Sequence, residues 1–279
     1  MLKRAYVEIT NVCNLHCAFC PGTRRPARFM APEEFRTAAR RLRPHVSYLY
    51  LHVMGEPLLH PQLGELLELA AADRFQVCLT TNGVLLTERS PLLLAAPALY
   101  KASISLHSAE ANGAGELEGY LEGAWGYALP ASRSGTICAL RLWNGGGAQA
   151  RNGEILAFLA DKLGRHPLDC PQPRPGSWRL GERLYLEQAE QFDWPDLEAP
   201  ERGTRFCLGL RDQIAVLADG TAVPCCLDHE GDIPLGNLLE QELDEILSSP
   251  RARAVCDGFS QGKPSEALCR RCGFAARFG

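Results

Sequence analysis

Three cysteines within eight residues constrain this chain more than any other feature: Cys13, Cys17 and Cys20 in the run Cys13-Asn14-Leu15-His16-Cys17-Ala18-Phe19-Cys20. A C-x3-C-x2-C spacing can hold three irons of one four-iron cube, and the fourth iron is then left open. Iron–sulfur clusters are held by thiolates, and what occupies each corner sets their potential and reactivity. A structural zinc site closes with four protein ligands, which three cysteines this close together do not supply. Incidental core cysteines are the bland alternative, and ligand spacing argues against it.

Composition narrows the setting. At 279 residues and 46% hydrophobic content, the chain can bury a large core in one domain, or in one domain with an appendage. A net charge of −4 leaves no global basic footprint for nucleic acid. The start of the chain, Met1-Leu2-Lys3-Arg4-Ala5-Tyr6, has no apolar signal core, and no apolar run is long enough to span a bilayer, so a cytoplasmic protein without membrane contact is expected. Twelve cysteines in such a setting favour metal binding over disulfides, because the cytosol keeps thiols reduced.

Strand and helix patterns alternate through the first two-thirds. Residues 6–10, 48–54, 76–81, 102–107, 136–143 and 183–187 read as strands. Helices are marked by Pro32 with Phe35, Ala38, Ala39 and Leu42, by Leu63, Leu66, Leu67 and Ala70, and by Ile155, Phe158, Leu159 and Leu163. The helix expected between the fourth and fifth strands is interrupted by Gly119, Gly123 and Gly126. Strand–helix alternation implies a parallel sheet with helices outside, and six units imply a partial (β/α)6 TIM-like barrel of the α/β class, whose chemistry belongs at the C-terminal strand ends.

Two charged stretches stand out. Residues 182–201 carry seven acids against Arg183, with Trp194-Pro195 and Pro200 among them, and read as a solvated connector. Residues 24–43 hold seven arginines against Glu33 and Glu34. That stretch could meet phosphates, although a solvated helix face paired with the acidic connector is the favoured reading.

Cysteines return at the far end. Residues 213–218 and 221–224 flank Asp219-Gly220, a two-residue hairpin signal that can bring Cys207 and Cys225 together. Leu239, Leu243, Ile246 and Leu247 mark a helix, after which Cys269 and Cys272 complete a quartet. Four thiolates suit a structural zinc or a [4Fe–4S] cluster by count. Cys226 points to the opposite side of an extended chain from Cys225, so only one of the pair should ligate. Cys78, Cys138 and Cys170 read as small buried hydrophobes and Cys256 as a spare.

The first cysteine run resembles the signature of the radical S-adenosylmethionine (SAM) superfamily, in which the open iron is chelated by SAM. Met54-Gly55-Glu56-Pro57 is similar to that family's Gly-Gly-Glu-Pro turn, with methionine in place of the first glycine. The distal quartet, with twelve residues between Cys207 and Gly220 and four between Gly220 and Cys225, resembles the shortened auxiliary-cluster domain called twitch, a relative of SPASM. The resemblance implies a [4Fe–4S] cluster on Cys13, Cys17 and Cys20, a second on Cys207, Cys225, Cys269 and Cys272, and SAM as cofactor or cosubstrate. It further implies that Gly55 and Glu56 hold the SAM amino group, that Phe19 lies against the adenine, that Ser105 contacts the ribose or carboxylate, and that Thr80 and Asn82 lie near SAM or substrate.

Ser103, Ser105 and His107 alternate onto one face of their strand, as a ligand-lining strand would. Arg141, near the end of the fifth strand, is costly to bury unpaired. It should therefore meet the SAM carboxylate, an acidic substrate, or a structural acid such as Glu8.

The expected organisation is a radical SAM core over residues 1–190, an acidic linker over 191–206 and an α+β, hairpin-containing auxiliary domain over 207–279. The expected activity is reductive cleavage of SAM to a 5′-deoxyadenosyl radical that takes hydrogen from a small-molecule or peptide substrate, with net oxidation assisted by the auxiliary cluster. A reductant such as flavodoxin or ferredoxin is implied, and a monomer is expected. A peptide- or RNA-modifying enzyme is the alternative within the family. A barrel beginning near residue one leaves little room for a peptide-leader domain before it. A non-catalytic electron carrier or redox sensor is the alternative outside the family, and the open iron and the Gly55-Glu56 turn argue against it.

Overall fold

In the computed structural model, which describes residues 2–112 and 117–278, β1 (Arg4–Val7) lies at the centre of the architecture. Its outward side chains, Ala5 and Val7, are buried at 0% and 1% exposure, while Arg4 and Tyr6 face the other way. Five further strands of this sheet are β2 (Tyr48–Tyr50), β3 (Gln76–Thr81), β4 (Leu99–Ser105), β5 (Ile137–Gly145) and β7 (Leu184–Glu190). These five strands follow β1 in parallel order, β1-β2-β3-β4-β5-β7, as the strand–helix alternation predicts. The helices α1 (Pro32–Leu42), α2 (Leu63–Ala72), α3 (Leu86–Ala95), α4 (Leu117–Arg133) and α5 (Asn152–Leu163) separate them in sequence. Helix α1 places Phe35, Ala38, Ala39 and Leu42 in the core, the stripe its spacing predicts.

Several expectations need correction. Helix α4 runs unbroken through Gly119, Gly123 and Gly126. Its apolar face of Tyr120, Leu121, Ala124, Tyr127 and Ala128 supplies the packing that outweighs their poor propensity. Gly123 also permits close approach to α3, since a Cβ there would stand 2.5 Å from Thr87 Oγ1. Strand β6 (Ser177–Arg179), antiparallel to β7 at the sheet edge, carries no sequence signal of its own at three residues. The strand predicted for residues 6–10 begins earlier and stops at Val7, and that for 48–54 stops at Tyr50.

The larger correction concerns the C-terminal part. The predicted hairpin forms as β8 (Gln213–Val216) and β9 (Thr221–Val223), with Gly220 at φ +88° where only glycine is comfortable. Rather than standing apart, β8 pairs in parallel with β1, Arg4 to Gln213 through Val7 to Val216. With β10 (Gly236–Asn237) on β9, the described strands form one open sheet of order β10-β9-β8-β1-β2-β3-β4-β5-β7-β6. Helices α6 (Leu243–Ser248), α7 (Pro250–Ser260) and α8 (Ala267–Arg270) complete this end, and α7 was not foreseen in the sequence.

The arginine-rich stretch clamps this union. Arg25 makes a two-pronged ion pair with the fully buried Glu8, at 2.8 and 2.7 Å, while its Nε donates to the His229 carbonyl at 2.7 Å. Arg28 donates to the Ala218 carbonyl and pairs with Glu34. Arg41 reaches the Leu238 carbonyl and Glu242, and Arg24 meets Glu230. The partners are residues 218–242, not the acidic connector. Of the connector acids, Asp193 pairs with Arg202 and Glu201 with Arg270, while Glu187 reaches Lys101, Arg141 and Arg174.

Removing one partner of a buried pair leaves an uncompensated charge. Arg25→Leu is expected to destabilise the protein by about 3–5 kcal/mol, read from the urea midpoint, against less than about 1 kcal/mol for the exposed Arg36→Leu.

Candidate active site at the strand ends

The cysteine run occupies a loop whose stem is closed by its own neck. Thr10 Oγ1 donates to the Arg28 carbonyl at 2.9 Å, Asn11 Nδ2 to the Pro26 carbonyl at 2.9 Å, and the Arg28 N–H returns to Asn11 Oδ1 at 2.8 Å. Beyond the neck, Cys13 and Cys20 are exposed and Cys17 is half-buried. Burial raises the Cys13 and Cys17 thiol pKa values, a hydrogen bond from the Leu15 backbone opposing it at Cys13 and the Ser108 hydroxyl at Cys17.

The Gly55-Glu56 turn lies directly against this neck. Gly55 has φ +77°, and a Cβ there would fall 2.4 Å from the Thr10 carbonyl oxygen, so both conformation and space demand glycine. The Glu56 N–H donates to the Val12 carbonyl at 2.8 Å. Its side chain is 2% exposed and accepts from Thr81 Oγ1 at 2.7 Å, the Asn82 N–H at 2.7 Å and the Leu58 N–H at 3.0 Å. Burial nevertheless pushes its pKa up to about 7, against the lowering effect of those donors. The carboxylate thus braces the ends of β2 and β3 with the chain's own donors.

Asn82 extends the brace to the cysteines, its Nδ2 donating to Asn14 Oδ1 at 2.8 Å and lying 3.9 Å from Cys13 Sγ. Thr80, by contrast, is half-buried on the opposite face of β3, and the hydroxyl that engages Glu56 is that of Thr81. Met54, standing where the family has glycine, is buried with its sulfur 4.0 Å from Cys20 Sγ.

A cavity of about 380 Å³ opens beside Cys17, lined by His16, Phe19, His107, Glu110 and Asn144 among others. The Phe19 ring meets His107 at 4.9 Å between centroids. Ser105 and Arg141 are register partners across β4 and β5. Arg141 turns inward, stacks 4.3 Å over Trp143 and meets Glu187 at 3.4 Å, so its structural acid is Glu187, while Glu8 is taken by Arg25. Glu187 is shared with Lys101 and Arg174. Burial opposes ionisation of Glu187, but these three cations together hold its pKa below the usual range. His52 nearby is kept neutral by burial and by Arg141, its pKa falling to about 3.

The distal quartet converges. Cys207, Cys225, Cys269 and Cys272 line one small cavity with Asp228, whose raised pKa of about 6 reflects burial. Burial raises the Cys225 thiol, and neighbouring Cys226, Cys207 and Cys269 raise it further. Cys226 packs with Tyr6 against Val53 and Ala215, and also touches the group of Leu227, Cys272 and Ala275. Cys256 lies near Arg211, away from the quartet. Among the described residues no three His, Cys, Asp or Glu side chains close to the spacing of a single metal ion. Both donor sets are purely thiolate, as iron–sulfur chemistry prefers.

Comparison with known proteins agrees with this geometry. Residues 7–119 match the radical SAM superfamily, and residues 207–273 match SPASM, an iron–sulfur cluster-binding domain. The chain carries a radical SAM domain followed by a C-terminal SPASM domain. Its cofactors are accordingly SAM, a [4Fe–4S] cluster and auxiliary iron–sulfur, and radical SAM enzymes require a reductant.

A GTP 3′,8-cyclase of Synechococcus sp. (strain CC9902) is 34% identical over 122 residues, 40% of this chain and 34% of that protein, so the chain spans about a third of the curated relatives it matches. The fold is shared with BtrN, solved with AdoMet and 2-DOIA, at 16% identity and a TM-score of 0.61 over 98% of this chain and 93% of that one. It is shared too with Streptococcus suis SuiB, solved with S-adenosylmethionine, at 15% identity and a TM-score of 0.63 over 98% and 72%. Among the described residues no helix is long and apolar enough to cross a membrane.

Thr81, Tyr120 and Ser108 escaped the sequence reading. Tyr120 donates to the Asn82 carbonyl at 2.7 Å from a helix whose register only packing reveals.

Because Glu56 holds its proton more tightly when folded, the folded state binds more protons than the unfolded between pH 4.5 and about 7, and stability of the unloaded protein falls as pH rises through that window. Urea midpoints at pH 5 and 7.5 should show this slope in the wild type and a flatter one in Glu56→Gln.

Proposed function

We propose that this protein is a radical SAM enzyme that oxidises an unactivated C–H position of its substrate, with the C-terminal quartet taking up the substrate's electron. What carries the reading is the pairing of β8 with β1, which joins a closed four-thiol site to the same sheet that presents Cys13, Cys17 and Cys20. A quartet with every corner held by the chain offers no position for substrate and is suited to electron transfer.

Cys13, Cys17 and Cys20 hold the cluster with the open iron, and Cys207, Cys225, Cys269 and Cys272 hold the auxiliary one. When bound, cluster and SAM together supply a 5′-deoxyadenosyl radical. The chain's own residues bind, orient and shield. Gly55 and Glu56, pinned to Val12, form the wall for the SAM amino group, and Asn82 fixes Cys13 against it. Ser105 and Arg141, facing each other across two strands, are positioned for its carboxylate; the second buried cation, Lys101, leaves Glu187 neutralised while Arg141 is engaged. Phe19 on His107 supplies an apolar face for adenine in the adjoining cavity, whose volume is within the range of small-ligand sites, roughly 300–1,000 Å³.

The core spans residues 1–190 and the auxiliary unit 207–279, joined by the segment 191–206. A small-molecule substrate fits this reading best. An RNA substrate is not favoured, because six of the seven arginines of residues 24–43 have partners within the chain.

Cys13→Ala should abolish 5′-deoxyadenosine formation and halve the iron content. Cys269→Ser with Cys272→Ser should retain SAM cleavage while product oxidation is lost. One zinc per chain at the distal site, by metal analysis, would overturn the assignment of the electron acceptor.

A further inference from the structure

The segment read as an acidic solvated connector does something else with its aromatic residues. Its acids Asp193 and Glu201 are exposed and pair with Arg202 and Arg270, whereas Phe192 and Trp194 turn inward onto the apolar group formed by Leu227, Cys272 and Ala275. The Trp194 indole N–H donates to the Phe19 carbonyl at 3.1 Å. Phe19 lies between Cys17 and Cys20, so this bond fixes the peptide unit inside the cysteine loop from outside it. The same ring meets His229 edge-on at 5.3 Å and Phe192 at 5.4 Å. Phe192 in turn meets Phe274 at 5.1 Å. Phe274 lines the quartet cavity, and its backbone N–H is directed at the Cys272 thiol. Arg277 caps the stack, 5.5 Å from Phe192 and 4.9 Å from Phe274.

We propose that Trp194 is a positioning residue that couples the two cysteine sites, setting the Cys17–Cys20 segment of the first loop according to how the aromatic stack is seated on the second. The proposal rests on the reading that both sets hold clusters. The physical argument is that a half-buried tryptophan has one polar atom, and here its single donor is committed to the backbone of a loop whose other restraints are side-chain contacts: Asn82 on Asn14, the Phe19 ring on His107 and Met54 by Cys20. Beyond the neck, that segment's own backbone bond is Cys20 N–H to the Cys17 carbonyl at 3.0 Å, and Trp194 supplies a second fixed point between them. A carbonyl whose direction is fixed sets one of the dipoles around the neighbouring thiolates, and such surroundings tune a cluster's potential.

The test uses the fully reconstituted protein with Trp194→Phe, which keeps a ring but removes the donor, and Trp194→Leu, which removes both. Iron content and the auxiliary signal, read alone in a Cys13→Ala background, should match the wild type in both variants. The midpoint potential of the first cluster and the change SAM induces in its electron paramagnetic resonance spectrum should shift in Trp194→Phe and shift further in Trp194→Leu. Wild-type values in both variants would overturn the proposal, as would loss of the auxiliary signal, which would make Trp194 a support of the C-terminal fold alone. If the wild type itself forms no cluster on the first three cysteines, the functional reading fails and Trp194 is judged on the unloaded protein. There, alkylation of the half-buried Cys17 should be roughly three- to tenfold faster in Trp194→Phe, the effect of one lost hydrogen bond, and an unchanged rate would overturn the coupling.

Discussion

One carboxylate gathers the molecule. Glu8, fully buried at the end of β1, accepts both prongs of Arg25, the Met54 N–H at 3.0 Å and the Ala218 N–H at 3.2 Å. Those four bonds bring together the exit of the cysteine loop, the turn after β2 and the turn between β8 and β9. Arg25 adds the His229 carbonyl with its remaining donor. A charge this deeply buried is tolerated only when its lone pairs are used, and here every use ties down a different part of the active-site end. The Gly55-Glu56 turn, the cysteine loop and the C-terminal hairpin hold their relative places because they answer to the same side chain.

From that anchor the site is built in layers. Gly55 lets the turn touch the Thr10 backbone, Glu56 ties β2 to β3, and Asn82 passes the tie to Cys13. The other wall depends on β4 and β5, where Arg141 is held between Trp143 and Glu187. Rigidity comes from short hydrogen bonds among buried groups, and the exposed thiols at Cys13 and Cys20 remain the accessible part.

Much of this was legible in the sequence where the signal is local. A cysteine spacing, a glycine turn, an Asp-Gly hairpin and the stripe of α1 each depend on neighbours within a few residues, and each appears as expected. What depended on distant partners did not. The arginines of residues 24–43 announce their charge but not their acceptors, many of which are backbone carbonyls some two hundred residues away. Which of two adjacent threonines meets the Glu56 carboxylate depends on how β3 turns its faces, and it is Thr81 that does. Arg141 was rightly given an anion, though Glu8 and Glu187 could be told apart only by seeing which strand stands beside β5. The connector's acids hid two aromatic residues whose role depends on a chain end that had not yet been placed.

The position of β1 between β2 and β8 has a consequence for how the protein comes into being. During synthesis β1 acquires its neighbour on one side after some forty residues and on the other only after some two hundred. Until β8 arrives, an edge of a largely apolar parallel sheet stands open, with unpaired amides that another strand could capture. Contacts so distant in sequence form slowly. The C-terminal unit is therefore more than a holder of iron: it is the strand that seals the core, and a chain stopped short of it would be left with an adhesive edge.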